Sequence, residues 1–480
     1  MSQDNESSPQ SEIAETGAIS TEDKNVAAKN GNEPESPVNI IGATSASTKE
    51  NTEEGQPEKL QPPLAAKIVT ILLRIVVGGV FIASGFTKAI DPWGFIYKIE
   101  DYLNVWGIGV PRSIIFVGAV GLSAYEFLFG AMLVLGAYRR TSVRALMLTM
   151  LFMLPLTAYI AIANPVADCG CFGEWLLLSN WATFGKNIVI TAMLVWLWRY
   201  NFRIKWAFVR PSLQWVAATA CAIYLIIIAG YGYMVQPLID FRPYPVGKSP
   251  WEEADNEVDL ARDAIFLYEK DGVTAQFTID NLPDSTWEFV ERQLPASISD
   301  TIGSDNAIVL YDGDEEVTYL AEEAESPVLL ITIPEPANVD IATIYPLNEL
   351  SSIVQGQGGT TFALISGSEA ARNAWADISM ADYDMLNCED TSLKSMVRGN
   401  PGVVIIEDGV IKLKRSASSI PVEWLEQVHS EDEFAQLLDK MTISTTLLRN
   451  VTYLLGGLLL ILIIASLKFN KFARKSKKNS

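Results

Sequence analysis

Six apolar stretches, near 65–87, 113–137, 143–163, 184–198, 212–235 and 447–467, decide most of what this 480-residue chain can become. Each approaches the ~20 residues a helix needs to cross the hydrocarbon core of a bilayer. In lipid every backbone polar group must be satisfied within the protein, so stretches of this kind predict a helix bundle. The fourth, FGKNIVITAMLVWLW, is short and opens with Lys186 and Asn187. An amide there reads as an interhelical hydrogen bond rather than a ligand.

Charge is distributed unevenly. The whole chain carries a net charge of −21, which argues against nucleic acid as a partner because phosphate is bound by clustered Lys and Arg. Residues 1–62 hold twelve acids against four lysines with few large apolar residues, and this predicts a disordered acidic tail. The tail lacks the basic start, apolar run and small-residue cleavage site of a secretory signal, so insertion falls to the internal helices.

Orientation follows from Lys and Arg in the short loops, which stay cytoplasmic. Arg139, Arg140 and Arg144 follow the second span, Arg199, Arg203, Lys205 and Arg210 the fourth, and Lys468, Lys471, Arg474, Lys475, Lys477 and Lys478 the sixth. Residues 164–183 contain no Lys or Arg, and 88–112 balances Lys88, Lys98 and Arg112 against Asp91, Glu100 and Asp101. The expected arrangement has both termini in the cytoplasm of a bacterial inner membrane and residues 236–445 in the periplasm. The partner implied throughout is the lipid bilayer.

Two charges interrupt the apolar spans, Arg74 in the first and Glu126 in the second. Counted from the cytoplasmic ends at ~1.5 Å per residue, they lie roughly 13 and 16 Å deep. Matching depth predicts an Arg74–Glu126 ion pair, either a clamp between two helices or part of a proton or substrate path.

The chain has four cysteines. Cys221 falls in the fifth span, where it reads as a small apolar filler. Cys169 and Cys171 stand in DCGCFG after the third span. Alternate α-carbons of an extended chain are ~6.6 Å apart, near the ~6.8 Å limit for a disulfide, and Gly170 can fold the chain inward. A bridge closing so small a ring is strained and labile, which suits a dithiol/disulfide switch. The alternatives are a structural turn or a metal site. The latter would need ligands beyond Asp168 and Glu174, and the single histidine, His429, is remote.

RIVVGGVFIASGFTK in the first span, a mid-span Glu in the second, DCGCFG after the third and NWATFGKNIVI opening the fourth resemble the MauE/DoxX family of bacterial membrane proteins over about 65–200. The resemblance implies a four-helix core, to which this chain adds two further spans, and carries Arg74, Glu126, Cys169 and Cys171 as the family's positions. It implies disulfide formation or electron delivery for periplasmic proteins, with methylamine dehydrogenase maturation as the family's named process. No cofactor is evident, and the resemblance names no quinone or haem partner.

Between the fifth and sixth spans, AIFLYEKDGVTAQFTID and IVLYDGDEEVTYL read as hairpins of a small β-rich subdomain over 236–326. From 327 to 440 strands alternate with helices, predicting an α/β domain. LKSMVRGNPGVVIIEDGVIKLKR resembles the second half of a thioredoxin fold, which predicts a cis bond before Pro401. After the strand VLLITI, where that fold carries Cys-x-x-Cys, the sequence is PEPANVDIATIYP. This domain therefore cannot run dithiol exchange alone, and Cys388 reads as incidental or as a lone thiol for Cys169 or Cys171. GQGG at 356–359 lacks the Lys-Ser/Thr of a phosphate loop.

The resulting domain organisation is an acidic tail (1–62), a four-helix bundle (63–200), a loop and fifth span (201–235), a β-rich piece (236–326), a thioredoxin-like domain (327–440), and a sixth span with a basic tail (441–480). Two functions fit it. One is a redox relay through Cys169 and Cys171 to a periplasmic client, a thiol/disulfide oxidoreductase. The other is a non-enzymatic scaffold whose outer domain binds a partner.

Overall fold

The computed structural model describes residues 63–166, 169–204, 208, 210–251, 265–270, 273–277, 288–293, 307–313, 315–325, 327–442 and 445–479. The acidic tail, Asp168 and the turn residues Asp271 and Gly272 lie outside the described residues. Every apolar stretch is helical: α1 (Leu64–Ile90), then α2 (Pro92–Val105), α3 (Arg112–Leu135), α4 (Arg139–Ala163), α5 (Asn180–Tyr200), α6 (Pro211–Met234) and a C-terminal helix, Thr446–Asn479. α1, α3, α4, α6 and the C-terminal helix are long and apolar enough to cross a membrane. α5, of 21 residues, is the short fourth stretch. α2 was not expected, for 88–112 reads as a loop; its signal is Asp91, whose side chain accepts from Gly94 N (3.0 Å) ahead of Pro92 at the first helical position.

Small residues bring α1 and α3 into backbone contact, as small faces do where lipid offers no hydrophobic drive to association. A Cβ added at Gly85 would lie 2.5 Å from both Phe127 N and Ser123 O, and one added at Gly130 would lie 2.9 Å from Gly78 O. These are backbone atoms that cannot turn aside. Gly85→Ala is accordingly expected to lower the melting temperature in detergent, at a stability loss of about 1–3 kcal/mol. Gly79→Ala, whose Cβ meets nothing within 4 Å, is the control and should melt with the wild type.

Beyond α6 the chain builds a seven-stranded mixed sheet of order β10-β9-β6-β7-β8-β4-β5. Its strands are β4 (Leu310–Asp312), β5 (Glu315–Glu316), β6 (Val328–Ile333), β7 (Thr360–Ile365), β8 (Asp384–Cys388), β9 (Gly402–Glu407) and β10 (Val410–Ser416). β6, β7 and β8 run parallel, while β9 is antiparallel to β6 and β10 to β9. Helices α8 (Ile344–Gly356) and α9 (Glu369–Ser379) make the two crossovers, with α7 (Tyr319–Glu322) before β6, and α10 (Asp390–Met396) leads into β9. VLLITI is apolar at nearly every position because β6 is covered on both faces. Leu329, Ile331 and Ile333 pack with Leu347, Leu350 and Phe434, and Val328 and Leu330 pack with Leu386, Leu393 and Met396.

The boundary expected at 326 falls elsewhere. β4 and β5 pair across Gly313 as the sequence suggests, but β4 then pairs with β8 and extends the seven-stranded sheet. Ile308 and Leu310, both buried, supply the reason: their apolar face needs this core. Residues 247–248 likewise join the β10 edge, through Gly247 N to Ile411 O (2.7 Å) and Ile411 N to Lys248 O (2.9 Å). What stands apart is a three-stranded sheet, β1 (Ile265–Lys270), β2 (Val273–Phe277) and β3 (Glu288–Gln293), in the order β2-β1-β3.

Candidate functional site

The α1–α3 seam aligns Ser84 with Glu126, and from this register the expected Arg74–Glu126 pair does not form. α1 runs past the end of α3 at the arginine-rich end of the bundle, so Arg74 is level with the α3 terminus. Equal distances from unequal ends gave the false match. Glu126 instead pairs with Lys88, one helical turn beyond Ser84: Lys88 Nζ lies 2.7 Å from Glu126 Oε2 and 3.1 Å from Ser84 Oγ. All three side chains are buried. The apolar run of the first span ends at 87, so the sequence alone places Lys88 in the following loop. Arg74 donates to the Asn201 side chain and carbonyl and to Ile204 O (3.1 Å), fastening α1 to the chain after α5.

Ser84 ties this buried charge pair to the dithiol loop. Its hydroxyl lies 2.8 Å from Glu126 Oε2 and 2.6 Å from Cys171 O. Gly170, at φ +67°, turns the chain so that the Cys169 and Cys171 sulfurs stand 2.9 Å apart. An L side chain at 170 would be strained by that φ, and its Cβ would meet Lys98 Cγ at 2.7 Å. Tyr102 donates to Cys169 O (3.2 Å), and Lys186 Nζ sits 4.4 Å from the centre of the Phe172 ring. A cavity of about 20 Å³, room for roughly one water, lies among Ser84, Lys88, Glu126, Cys171 and Lys186.

The two thiols differ in acidity. The hydrogen bond from Cys169 holds Cys171 down to about 7, aided by the Lys186 and Lys88 ammonium groups and opposed by burial. The same hydrogen bond, together with burial, pushes Cys169 up. These opposed directions favour Cys171 over Cys169 as the more acidic thiol of the pair. Its alkylation should rise with pH through about 7 and level off above, being about tenfold slower one unit below. Lys186→Met should move that midpoint upward, and a midpoint near 9 in the wild type would contradict the assignment.

The α/β domain closes over this loop. Arg398, 2% exposed, donates to Asp91 Oδ2 (2.7 Å) and to Glu174 Oε1 (2.5 Å), three residues beyond Cys171. Burial works to raise the Asp91 carboxyl, yet Arg398 holds it below the usual carboxylate range. Gln236 grips the Arg398 main chain at both its N–H and its carbonyl, and a chain of contacts continues through Arg242 and Asp240 to Lys414 on β10. A second contact joins Arg112 to Glu335 (2.7 Å), in the loop after β6. The Asn400–Pro401 bond is cis. Asn400 and Glu335 hydrogen-bond each other, so the cis-proline loop and the loop after β6 form one face, turned toward the bundle.

The remaining sequence candidates lie apart. Asn187 donates to Thr157 Oγ1 (3.2 Å) between α5 and α4. Cys221 is packed in the bundle, and Cys388 is buried in the sheet core beside Leu310, away from the dithiol. Among the described residues no three His, Cys, Asp or Glu are grouped to hold a metal. Sequence reasoning missed Lys88, Lys186 and Arg398. The only early trace of them was the spacing Ser84-x-x-x-Lys88, which puts both on one helix face.

Residues 66–199 match the family model described as Methylamine utilisation protein MauE. The match spans nearly all of α1 through α5 with the dithiol loop between α4 and α5, and it supports a MauE-like membrane bundle. Residues 263–295 match a Domain of unknown function (DUF8463), which coincides with the separate three-stranded sheet. No curated protein and no solved structure matches the chain.

Proposed function

We propose that the chain is a membrane thiol–disulfide relay in which Cys169 and Cys171 exchange with an extracytoplasmic partner and the α/β domain governs access to them. The observation that carries this is the pair of sulfurs 2.9 Å apart above a buried Lys88–Glu126 pair. A disulfide needs ~2.05 Å, so bond formation calls for less than an ångström of approach. Cys171 as thiolate attacks one sulfur of a partner disulfide, forming a mixed disulfide and releasing one partner thiolate. Cys169 then attacks the Cys171 sulfur, expels the second thiolate and gives up its proton to it. Two electrons pass to the partner and the Cys169–Cys171 bond forms; the reverse sequence oxidises a partner dithiol, and the potentials of the two couples set the direction.

The α/β domain is on this reading a thioredoxin-like fold without its cysteines. The strand order β10-β9-β6-β7, parallel β6 and β7, and the cis-proline ahead of β9 support it. Its client face is turned on its own bundle, so it acts as a cover. The positive-inside bias supports cytoplasmic termini and a dithiol on the outer side.

A membrane scaffold is the second reading, favoured by the burial of Cys169 at 7% exposure. Thiol trapping in membranes across a range of redox buffers separates the two. The relay requires Cys169 and Cys171 to convert together between two free thiols and one bridge, and a pair locked in a single state throughout leaves the scaffold.

A further inference from the structure

Where α6 meets the α/β domain, the two enclose a cavity of about 1120 Å³, large enough for a ligand by the usual range of ~300–1,000 Å³. Its floor is one face of α6, formed by Ile226, Ile227, Gly230, Tyr231 and Met234. From Met234 back to Ile226 that face runs ~12 Å along an apolar span. Ile226, Ile227 and Met234 are all exposed. The roof is polar, from Asp340 in the loop after β6, Arg415 on β10, and Ser418 and Ser419 beyond it. Roof and floor are fixed to each other: Ser416 N donates to Val235 O (3.1 Å), and Arg112 pairs with Glu335 (2.7 Å).

The division of this lining selects the occupant. A peptide laid along the α6 face would bring N–H and C=O groups against isoleucines that offer them no partner, whereas a hydrocarbon chain has none to satisfy. In the roof, opposite charges stand together. Arg415 is held by Ser419 O and Met441 O, both at 2.9 Å, and Asp340 Oδ1 accepts from Ala342 N (3.0 Å). Glu100 and Arg112 also line the cavity and bond each other (2.7 Å). Two arginines and two carboxylates complement a headgroup of both signs better than an anionic one.

We propose that this cavity holds a zwitterionic glycerophospholipid, one acyl chain lying on the α6 face, the phosphate at Arg415 and the Ser418 and Ser419 hydroxyls, and the ammonium at Asp340. Guanidinium donors suit phosphate oxygens, and the exposed isoleucines open the floor to the bilayer, from which the chain enters. Gly230 leaves room for it, since a Cβ added there would meet nothing within 4 Å. The inference is independent of the redox reading and of which leaflet faces the α/β domain.

The full-length protein, purified in mild detergent and stripped of lipid, is titrated with phosphatidylethanolamine, phosphatidylglycerol and the chainless glycerophosphoethanolamine, with bound species read by native mass spectrometry. Phosphatidylethanolamine should bind, and phosphatidylglycerol, which has no ammonium for Asp340, should be about fivefold weaker. Gly230→Leu, which fills the floor, should weaken phosphatidylethanolamine by roughly tenfold while melting without lipid at or above the wild type. Asp340→Asn, which keeps an oxygen for Ala342 N, should erase the preference between the two lipids. Phosphatidylethanolamine bound equally well by Gly230→Leu is lipid bound elsewhere on the bundle and overturns the proposal. Glycerophosphoethanolamine binding as tightly as lipid rejects the chain on α6. Should Gly230→Leu misfold, the wild type still decides: equal affinity for the two lipids rejects a zwitterion site.

Discussion

Arg398→Met is expected to lower stability by about 3 kcal/mol and to raise the alkylation rate of Cys171 by about a hundredfold. Removing one partner of a buried ion pair leaves the other charge desolvated, a loss of ~3–5 kcal/mol. The lower figure applies because Glu174 is a third exposed and partly screened by solvent, so Asp91 bears most of the loss. The thiols react only when the cover opens, and opening eased by 3 kcal/mol is populated about a hundred times more often. Asp91→Asn combined with Arg398→Met should restore much of the stability, because no charge is then stranded. Acid acts in the same direction. Asp91 titrates below its unfolded value, so its contribution is present above about pH 4 and disappears as pH falls through the lower folded value. Were Arg398→Met to melt and alkylate like the wild type, the α/β domain would not be the cover.

Lys88→Met should be comparably damaging, losing about 3 kcal/mol or failing to accumulate, since it strands Glu126 where a charge costs ~2.5–3.5 kcal/mol. Lys88→Met/Glu126→Gln should recover most of the loss in a detergent melt. Arg74→Met should gain nothing from any change at Glu126, because Arg74 holds Asn201 and Ile204 instead. A melt in which Glu126→Gln rescues Arg74→Met and not Lys88→Met would reverse the assignment of partners.

Local pattern carried the sequence reading far. The two hairpins and the apolar VLLITI strand follow from periodicity and turn residues, which act within a few positions, and the proline ahead of β9 is what the thioredoxin resemblance of LKSMVRGNPGVVIIEDGVIKLKR implies. Depth within the bundle was harder. Counting from the ends of apolar runs assumes that helices end together, and the overhang of α1 past α3 defeats that count at Arg74 while concealing Lys88. Arg398 was beyond reach altogether: it meets Asp91 across 307 residues of sequence, and nothing near either residue signals the other. Ion pairs between distant segments leave no periodic trace, whereas the Cys-Gly-Cys turn, which is local, could be read directly.

The cover and what it covers are also separated in time of synthesis. Arg398 follows Glu174 by 224 residues. At about 5–20 residues per second of elongation, the nascent loop waits roughly 10–45 s before the arginine that seals it has even been made. On the outward placement of the dithiol proposed above, both sulfurs are open during that interval to whatever oxidant or reductant surrounds the chain. The proposed relay would then have its first chance to exchange before the fold is finished, and the completed domain closes upon the state left by that exchange.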